Sequence, residues 1–471
     1  METLLETVYN PERFRTEGHQ LIDLLADYLK KAIEGREVPV LLWNTPEEQL
    51  SFWKKDFEQI GNNNILPFFQ NVIDRSIHMH HPKNFGHQTA VPAPASALAG
   101  LLSDLLNNAM PIYETGSVST IIERVVINMV NKFIGYTENA GGFMTSGGSL
   151  GNLTAILAAK NKQQFKSNNL AILVSEEAHY SIARIAHIMG LGEAGLIKIP
   201  SDENFKMNIE QLEVFYKQAL KEGKEILAVI GCACTTATGT YDDIAAIGNF
   251  CQKHSLWFHV DGAHGGAVIF TDKYRNLVKG IEQADSVLID FHKMLMTPTL
   301  CSALLFKNDD HSYATFSQKA AYLWEKDSEK EWYNLAKRTF ECTKRMMSIK
   351  VYTLLKIYGF EVFKENVTRL YNLGKCLAKI IQKTPSFELA TFPESNIVCF
   401  RFIKGSGDLN YLNKLNKTIR QKLISEGEFY IVHTQIGQTY YLRTAIMNPL
   451  TRVEDFEELL IKIKQIASTI D

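Results

Sequence analysis

The chain has 471 residues, 45% hydrophobic and 22% charged, enough apolar material for a large core divided into two or three domains. Lys plus Arg total 50 against 52 for Asp plus Glu, and the formal net charge of −2 leaves no cationic field to recruit nucleic acid or an anionic membrane. Chemistry on a small molecule is the better expectation, and the seven cysteines, odd in number and mostly in apolar segments, point to a reducing cytoplasm.

The N-terminus, METLLETVYNPERF, is acidic and lacks the basic and apolar regions of a signal peptide, and no stretch reaches the roughly 20 apolar residues of a membrane helix. Over residues 17–32, Leu21, Leu24, Leu25, Tyr28 and Leu29 recur at helical spacing, which predicts an amphipathic helix in search of a partner surface. Residues 78–94 carry three prolines and little periodicity, so they read as a loop feeding a helix over 95–107. This gives a helical N-terminal arm over 1–94.

From about 140 to 310, short apolar runs (170–174, 226–231, 257–260, 287–289 and 303–306) alternate with segments of helical patterning. That alternation predicts an α/β domain over 95–350 with a mostly parallel central sheet and helices on both faces, in which ligands gather at the carboxyl ends of the strands. Helices over 351–358 and 367–383, strands over 397–402 and 440–444 and a last helix over 453–466 make residues 351–471 a smaller α+β domain. Cys232 and Cys234 fall one residue apart on a predicted strand, and no second pair supplies zinc-type spacing, so no metal is expected.

Three segments carry chemistry. Gly141-Gly142-Phe143-Met144-Thr145-Ser146-Gly147-Gly148-Ser149-Leu150-Gly151-Asn152 precedes a helical stretch over 153–160; it is either a glycine-rich turn or a cup in which backbone N–H groups and the helix dipole hold a phosphate. Phe258-His259-Val260-Asp261-Gly262-Ala263-His264 places a carboxylate just after a strand, as a helix cap, a metal ligand or the partner of a ring nitrogen. Asp285-Ser286-Val287-Leu288-Ile289-Asp290-Phe291-His292-Lys293 is a strand ending in a lysine, where lost solvation is expected to lower the pKa and make the amine nucleophilic. A phosphate cup, a strand-end Asp and a strand-end Lys together meet the needs of pyridoxal 5′-phosphate (PLP).

Over nearly the whole chain these residues resemble the group II pyridoxal-dependent amino acid decarboxylases, which include glutamate, aromatic amino acid, cysteine sulfinate and diaminobutyrate decarboxylases. The resemblance implies PLP-dependent fold type I, the aspartate aminotransferase-like architecture, and a homodimer with the active site at the subunit interface. It implies that Lys293 bonds the cofactor and Asp261 pairs with the pyridine nitrogen, while Ser146, Gly147, Gly148, Ser149 and His292 hold the phosphate. His179, in Ser175-Glu176-Glu177-Ala178-His179-Tyr180-Ser181, is similar to the family histidine that stacks on the ring; Ala263 would pack on the other face and Thr236 near the ring substituents. Cys234 departs from the usual glycine of that last segment.

Tyr333, with Tyr322 as the fallback, is the candidate proton donor on the loop after the lysine strand. His87 and Gln88, in His81-Pro82-Lys83-Asn84-Phe85-Gly86-His87-Gln88, resemble the substrate loop of diaminobutyrate-type members, and Arg443 and Arg345 are candidate carboxylate clamps. The implied reaction converts an L-amino acid to its amine and carbon dioxide, with L-2,4-diaminobutyrate or another polar or charged amino acid as substrate. An aldehyde synthase, aminotransferase or carbon–carbon lyase would use the same cofactor, and an inactive scaffold would be expected to lose the lysine.

Overall fold

The computed structural model describes residues 3–61, 64–163, 165–316, 331–405 and 408–470. Backbone packing divides the chain into a larger unit, Gln88–Ala378 with Thr391–Val398, and a smaller one, Met1–His87 with Lys379–Ala390 and Cys399–Asp471.

The apolar runs of the larger unit become a seven-stranded sheet: β1 (Gly141–Thr145), β2 (Leu170–Ser175), β3 (Leu196–Ile199), β4 (Glu225–Cys232), β5 (Phe258–Asp261), β6 (Ser286–Asp290) and β7 (Ser302–Phe306), in the order β1-β7-β6-β5-β4-β2-β3. Strands β3, β2, β4, β5 and β6 are parallel, and β7 runs antiparallel to both β6 and β1. The sheet is therefore mixed. The 291–301 connection holds no helix and is too short for the crossover that a parallel return requires.

Strands β1, β2, β6 and β7 are buried along their whole length, as sheets covered on both faces must be. The helix Gly148–Lys162 lays Ala155, Ile156 and Ala159 into a core with Ile172, Val174, Ile230, Leu288, Leu304 and Phe306.

Part of the glycine-rich segment is not a loop. Gly141 to Thr145 form β1, and Gly142 sits at φ +142°, where a Cβ would lie 2.2 Å from the Leu304 carbonyl oxygen. The glycine is demanded by close pairing with β7, while the phosphate-cup candidates begin at Ser146.

In the smaller unit β8 (Phe387–Leu389), β9 (Ile397–Phe402), β10 (Val432–Ile436) and β11 (Thr439–Ala445) follow the order β10-β11-β9-β8. Phe85, Phe429 and Phe456 pack their rings together in its core. The amphipathic N-terminal helix runs over Pro11–Glu34, longer than its apolar stripe suggests, because Asn10 caps the Glu12 and Arg13 N–H groups, Pro11 opens the first turn and Gly35 at φ +65° closes it.

Residues 331–347 are tied to the sheet by buried charge. Lys344, 1% exposed, pairs with Glu123, 2% exposed, whose Oε1 also accepts the Met144 N–H of β1 at 3.0 Å. Arg338 pairs with Asp309, which Arg124 reaches at 3.0 Å; burial pushes the Asp309 carboxyl up, but the two guanidiniums outweigh it and hold the group below its ordinary value. Lys344→Met alone strands the Glu123 charge, and we expect a loss of about 3–5 kcal/mol. Combining it with Glu123→Gln should recover most of that loss in urea unfolding midpoints; equal losses in the two variants would show that the pair does not anchor the segment.

Candidate active site

The register of the sheet brings distant residues to one edge. Cys232 at the end of β4 faces Asp261 at the end of β5, Asp261 faces Leu288 of β6, and Asp290 at the end of β6 faces Ser302, itself opposite Thr145 at the end of β1. A cavity of about 330 Å³ opens there. Ser146, Gly147, Gly148, Ser149, His179, Thr236, Asp261, Ala263, His292 and Lys293 all line it.

Lys293 lies three residues past β6, its Nζ 3.3 Å from Asp290 Oδ2. Its neighbour is a carboxylate, so the surroundings are less apolar than its place at a strand end suggests. Asp290 is 3% exposed, accepts the Ser302 hydroxyl at 2.5 Å and lies 3.6 Å from His292 Nε2. The His292 Nδ1 faces the main chain of Cys301.

Asp261, buried at the end of β5, is held by two neutral donors: the Asn152 amide gives to Oδ2 at 2.9 Å and the Ala263 N–H to Oδ1 at 3.2 Å. His179 Nδ1 accepts from the Ser181 N–H at 3.3 Å and lies 2.8 Å from its hydroxyl, which puts the hydrogen of the neutral ring on Nε2. Burial, the largest influence, holds the His179 pKa below its ordinary value, against the pull of Asp261.

The helix Gly148–Lys162 points its N-terminus into the cavity. Gly147 adopts φ +103°, and a Cβ on Gly148 would stand 3.2 Å from both Asp290 Oδ1 and Leu288 Cδ2. Glu341 Oε1 accepts the Ser146 hydroxyl at 2.5 Å and the Ser146 N–H at 3.2 Å. A carboxylate oxygen already occupies this donor pair, which demonstrates a taste for anionic oxygen.

Other candidates fall outside this cavity. Tyr333 packs edge-on against Tyr113, ring centroids 5.6 Å apart, and does not line it. Tyr322 lies outside the described residues. Gln88 belongs to the larger unit but not to the lining, and His87 and Arg443 belong to the smaller unit, where burial first, then Arg443 and Arg420, hold the His87 pKa down. Arg345 pairs with Asp104 on the surface, both side chains well exposed, so it is no buried clamp.

Asn152, Asp290, Ser181, Cys232, Cys234, His264 and Leu300 line the cavity without having been singled out for it from sequence. Asn152 and Asp290 had a readable signal: each lies within a few residues of a candidate and carries a polar group at a strand or helix end. Cys232 ends β4 and Cys234 lies beyond it, and burial, with Asp242 and Asp261 nearby, pushes the Cys232 thiol up and keeps it neutral. Among the described residues no group of three His, Cys, Asp or Glu side chains could hold a metal, and no helix is long and apolar enough to cross a membrane.

These residues fit PLP, which requires an anion cup, a carboxylate for its ring nitrogen, a stacking surface and an amine for covalent attachment. The helix N-terminus with its Glu341 stand-in, Asp261 with its two donors, His179 and Lys293 supply those four features around one cavity.

Comparison with known proteins agrees. A family model described as the pyridoxal-dependent decarboxylase conserved domain matches residues 46–403. The chain is 30% identical to the acidic amino acid decarboxylase GADL1 of Homo sapiens, covering 96% of this chain and 90% of that protein. It is 27% identical to the L-2,4-diaminobutyrate decarboxylase of Acinetobacter baumannii, over 83% of this chain and 81% of that one. The crystal structure of mouse CSAD superimposes with a TM-score of 0.89 at 26% identity, covering 98% of this chain and all of that one. The chain thus belongs to the group II pyridoxal-dependent decarboxylases, with the fold type I architecture, and is a PLP-dependent enzyme that decarboxylates an amino acid.

Proposed function

We propose that Lys293 anchors PLP covalently, that Asp261 holds the proton on its ring nitrogen, and that residues 146–149 with His292 receive its phosphate. The observation that carries this reading is the convergence of all these residues on one cavity at the carboxyl edge of the sheet. Bound PLP supplies a sink for the electron pair left when a bond to Cα breaks.

The chain's own residues decide how well that sink is used. Asp261, fixed by Asn152 and Ala263, would accept a hydrogen bond from the ring nitrogen. Neutral His179 offers a flat face for stacking, the Ala263 methyl leaves room on the opposite face, and Thr236 stands near the ring substituents. Lys293, which lines the cavity, would be placed to carry a proton to Cα of a bound substrate, whereas Tyr333, outside the cavity of its own chain, would have to act in the partner subunit's site.

We assign as substrate an L-amino acid with a short acidic side chain. The most extensive similarity reported above, to an acidic amino acid decarboxylase, supports this assignment. A second reading, L-2,4-diaminobutyrate, is favoured by the Gly86-His87-Gln88 loop and by the bacterial relative of that name. Gln88 would then be a substrate contact.

The enzyme is proposed to work as a cytoplasmic homodimer. Leu98, Leu101, Leu102 and Leu105 form one stripe on the helix Pro94–Leu106, each roughly half exposed, and a stripe of that kind is normally covered by protein. None of the seven cysteines forms a disulfide, in keeping with a reducing compartment.

Lys293→Ala should abolish the visible absorption band of lysine-bound cofactor and lower decarboxylation by a factor on the order of a thousand or more; a retained band would end the attachment claim. In a carbon dioxide release assay across aspartate, glutamate, cysteine sulfinate, 2,4-diaminobutyrate, lysine, ornithine and aromatic amino acids, an acidic substrate should give the highest kcat/KM. Preference for diaminobutyrate would establish the second reading. Light scattering should give a dimer mass that Leu101→Glu with Leu105→Glu converts to a monomer, and an unchanged mass would place the subunit contact elsewhere.

A further inference from the structure

Behind Asp261 lies an unbranched chain of hydrogen bonds whose direction is forced by its two ends. Trp257 Nε1 is 3.1 Å from Ser286 Oγ, Ser286 Oγ is 2.8 Å from His259 Nδ1, His259 Nε2 is 2.9 Å from Asn152 Oδ1, and Asn152 Nδ2 is 2.9 Å from Asp261 Oδ2. An indole N–H can only donate and a carboxylate can only accept. Asn152 must therefore give its NH₂ to Asp261 and turn its carbonyl to His259. His259 must donate from Nε2, which leaves Nδ1 to accept the Ser286 hydroxyl hydrogen, and Ser286 Oγ in turn accepts from Trp257. One proton arrangement satisfies all five groups.

The interior residues of this chain are sealed from water: Ser286 and His259 are fully buried, and Asn152 and Trp257 are 2% exposed. Water cannot replace a lost partner, and each hydrogen bond polarises the next in a low-dielectric interior. Burial pushes the His259 pKa down to about 4, against the pull of Asp261, so the ring is neutral.

We propose that Ser286, His259 and Asn152 are positioning residues for the cofactor's ring nitrogen. By fixing the His259 tautomer they aim the Asn152 amide at Asp261, and Asp261 is thereby held turned toward the cavity. The proposal rests on the reading that Asp261 pairs with that nitrogen. Its consequence is that His259 and Ser286, which do not line the cavity, influence the protonation of the cofactor's ring.

The test uses holoenzyme carrying PLP labelled with ¹⁵N in the ring, whose chemical shift reports protonation of that nitrogen. Ser286→Ala, His259→Phe, His259→Gln, Asn152→Leu and the reference Asp261→Asn are compared by ¹⁵N shift, cofactor affinity, kcat, KM and melting temperature. Asn152→Leu and His259→Phe should move the shift toward the unprotonated value and lower kcat about 10- to 100-fold, with KM changed less than about threefold, as when the partner that orients a ligating group is lost. Ser286→Ala should move both in the same direction by less. His259→Gln, which keeps an amide donor near the Nε2 position, should restore most of both.

Where a larger substitution prevents folding, Ser286→Ala removes a single hydroxyl and still reads the shift. If Asp261→Asn changes the shift while the positioning variants lower only melting temperature or affinity, the chain is merely structural and the proposal is overturned. If Asp261→Asn leaves the shift unchanged, the pairing of Asp261 with the ring is itself wrong and the proposal falls with it.

Discussion

Two carboxylates buried at one sheet edge set the terms for what surrounds them. Asp261 ends β5 and Asp290 ends β6, and both are nearly inaccessible to water. An ionised carboxylate in such a place is tolerated only when hydrogen bonds or opposite charge replace its hydration. Asp290 obtains Ser302 at 2.5 Å and Lys293 at 3.3 Å, whereas Asp261 obtains two neutral donors and no cation of its own in the bonds described. The difference bears on the proposed roles: the partner of Asp290 is the lysine proposed to bond the cofactor, and Asp261 is left facing the cavity.

The topology makes this possible. Ser302 stands beside Asp290 because β7 runs antiparallel to β6 and begins where β6 ends. The same reversal lets β1 finish at that edge, so the helix after it starts beside the carboxylates with its positive end inward. Gly142 permits the close approach of β1 to β7, and Gly147 and Gly148 permit the turn into the helix under Asp290. The mixed character of the sheet is part of how the site is built.

Much of the site was legible because its chemistry falls at the ends of apolar runs. Asp261 closes such a run and Lys293 lies three residues past another, and each strand read from the sequence lies within two residues of an observed one, while β3, β8 and β10 were not read. β1 was not legible, since glycines that serve strand pairing look the same in sequence as glycines that serve a turn. The chain behind Asp261 was illegible for a different reason. Ser286 meets His259 because they are register partners on β6 and β5, and Asn152 reaches His259 and Asp261 from a helix more than a hundred residues earlier. Single-chain periodicity carries no information about which strand lies beside which. Tyr333 illustrates the converse, since proximity to the lysine segment in sequence did not place its ring in the cavity.

The residues that hold a cofactor and those that choose a reaction are subject to different physical demands. A ring nitrogen, a phosphate and an attachment point are fixed features, so they are served by strand ends and a helix terminus whose positions are set by hydrogen-bonded register and a packed core. Choosing which bond to Cα breaks requires that bond to stand perpendicular to the ring, which depends on how the substrate's own carboxylate and side chain are held. Among the described residues no arginine lines the cavity, and Arg338 is committed to Asp309. The rigid edge therefore provides the capacity to stabilise a carbanion without specifying its source. Substrate and outcome must be specified by groups outside the cofactor's immediate frame, and a relative could change either while leaving Asp261, Lys293 and the chain behind them untouched.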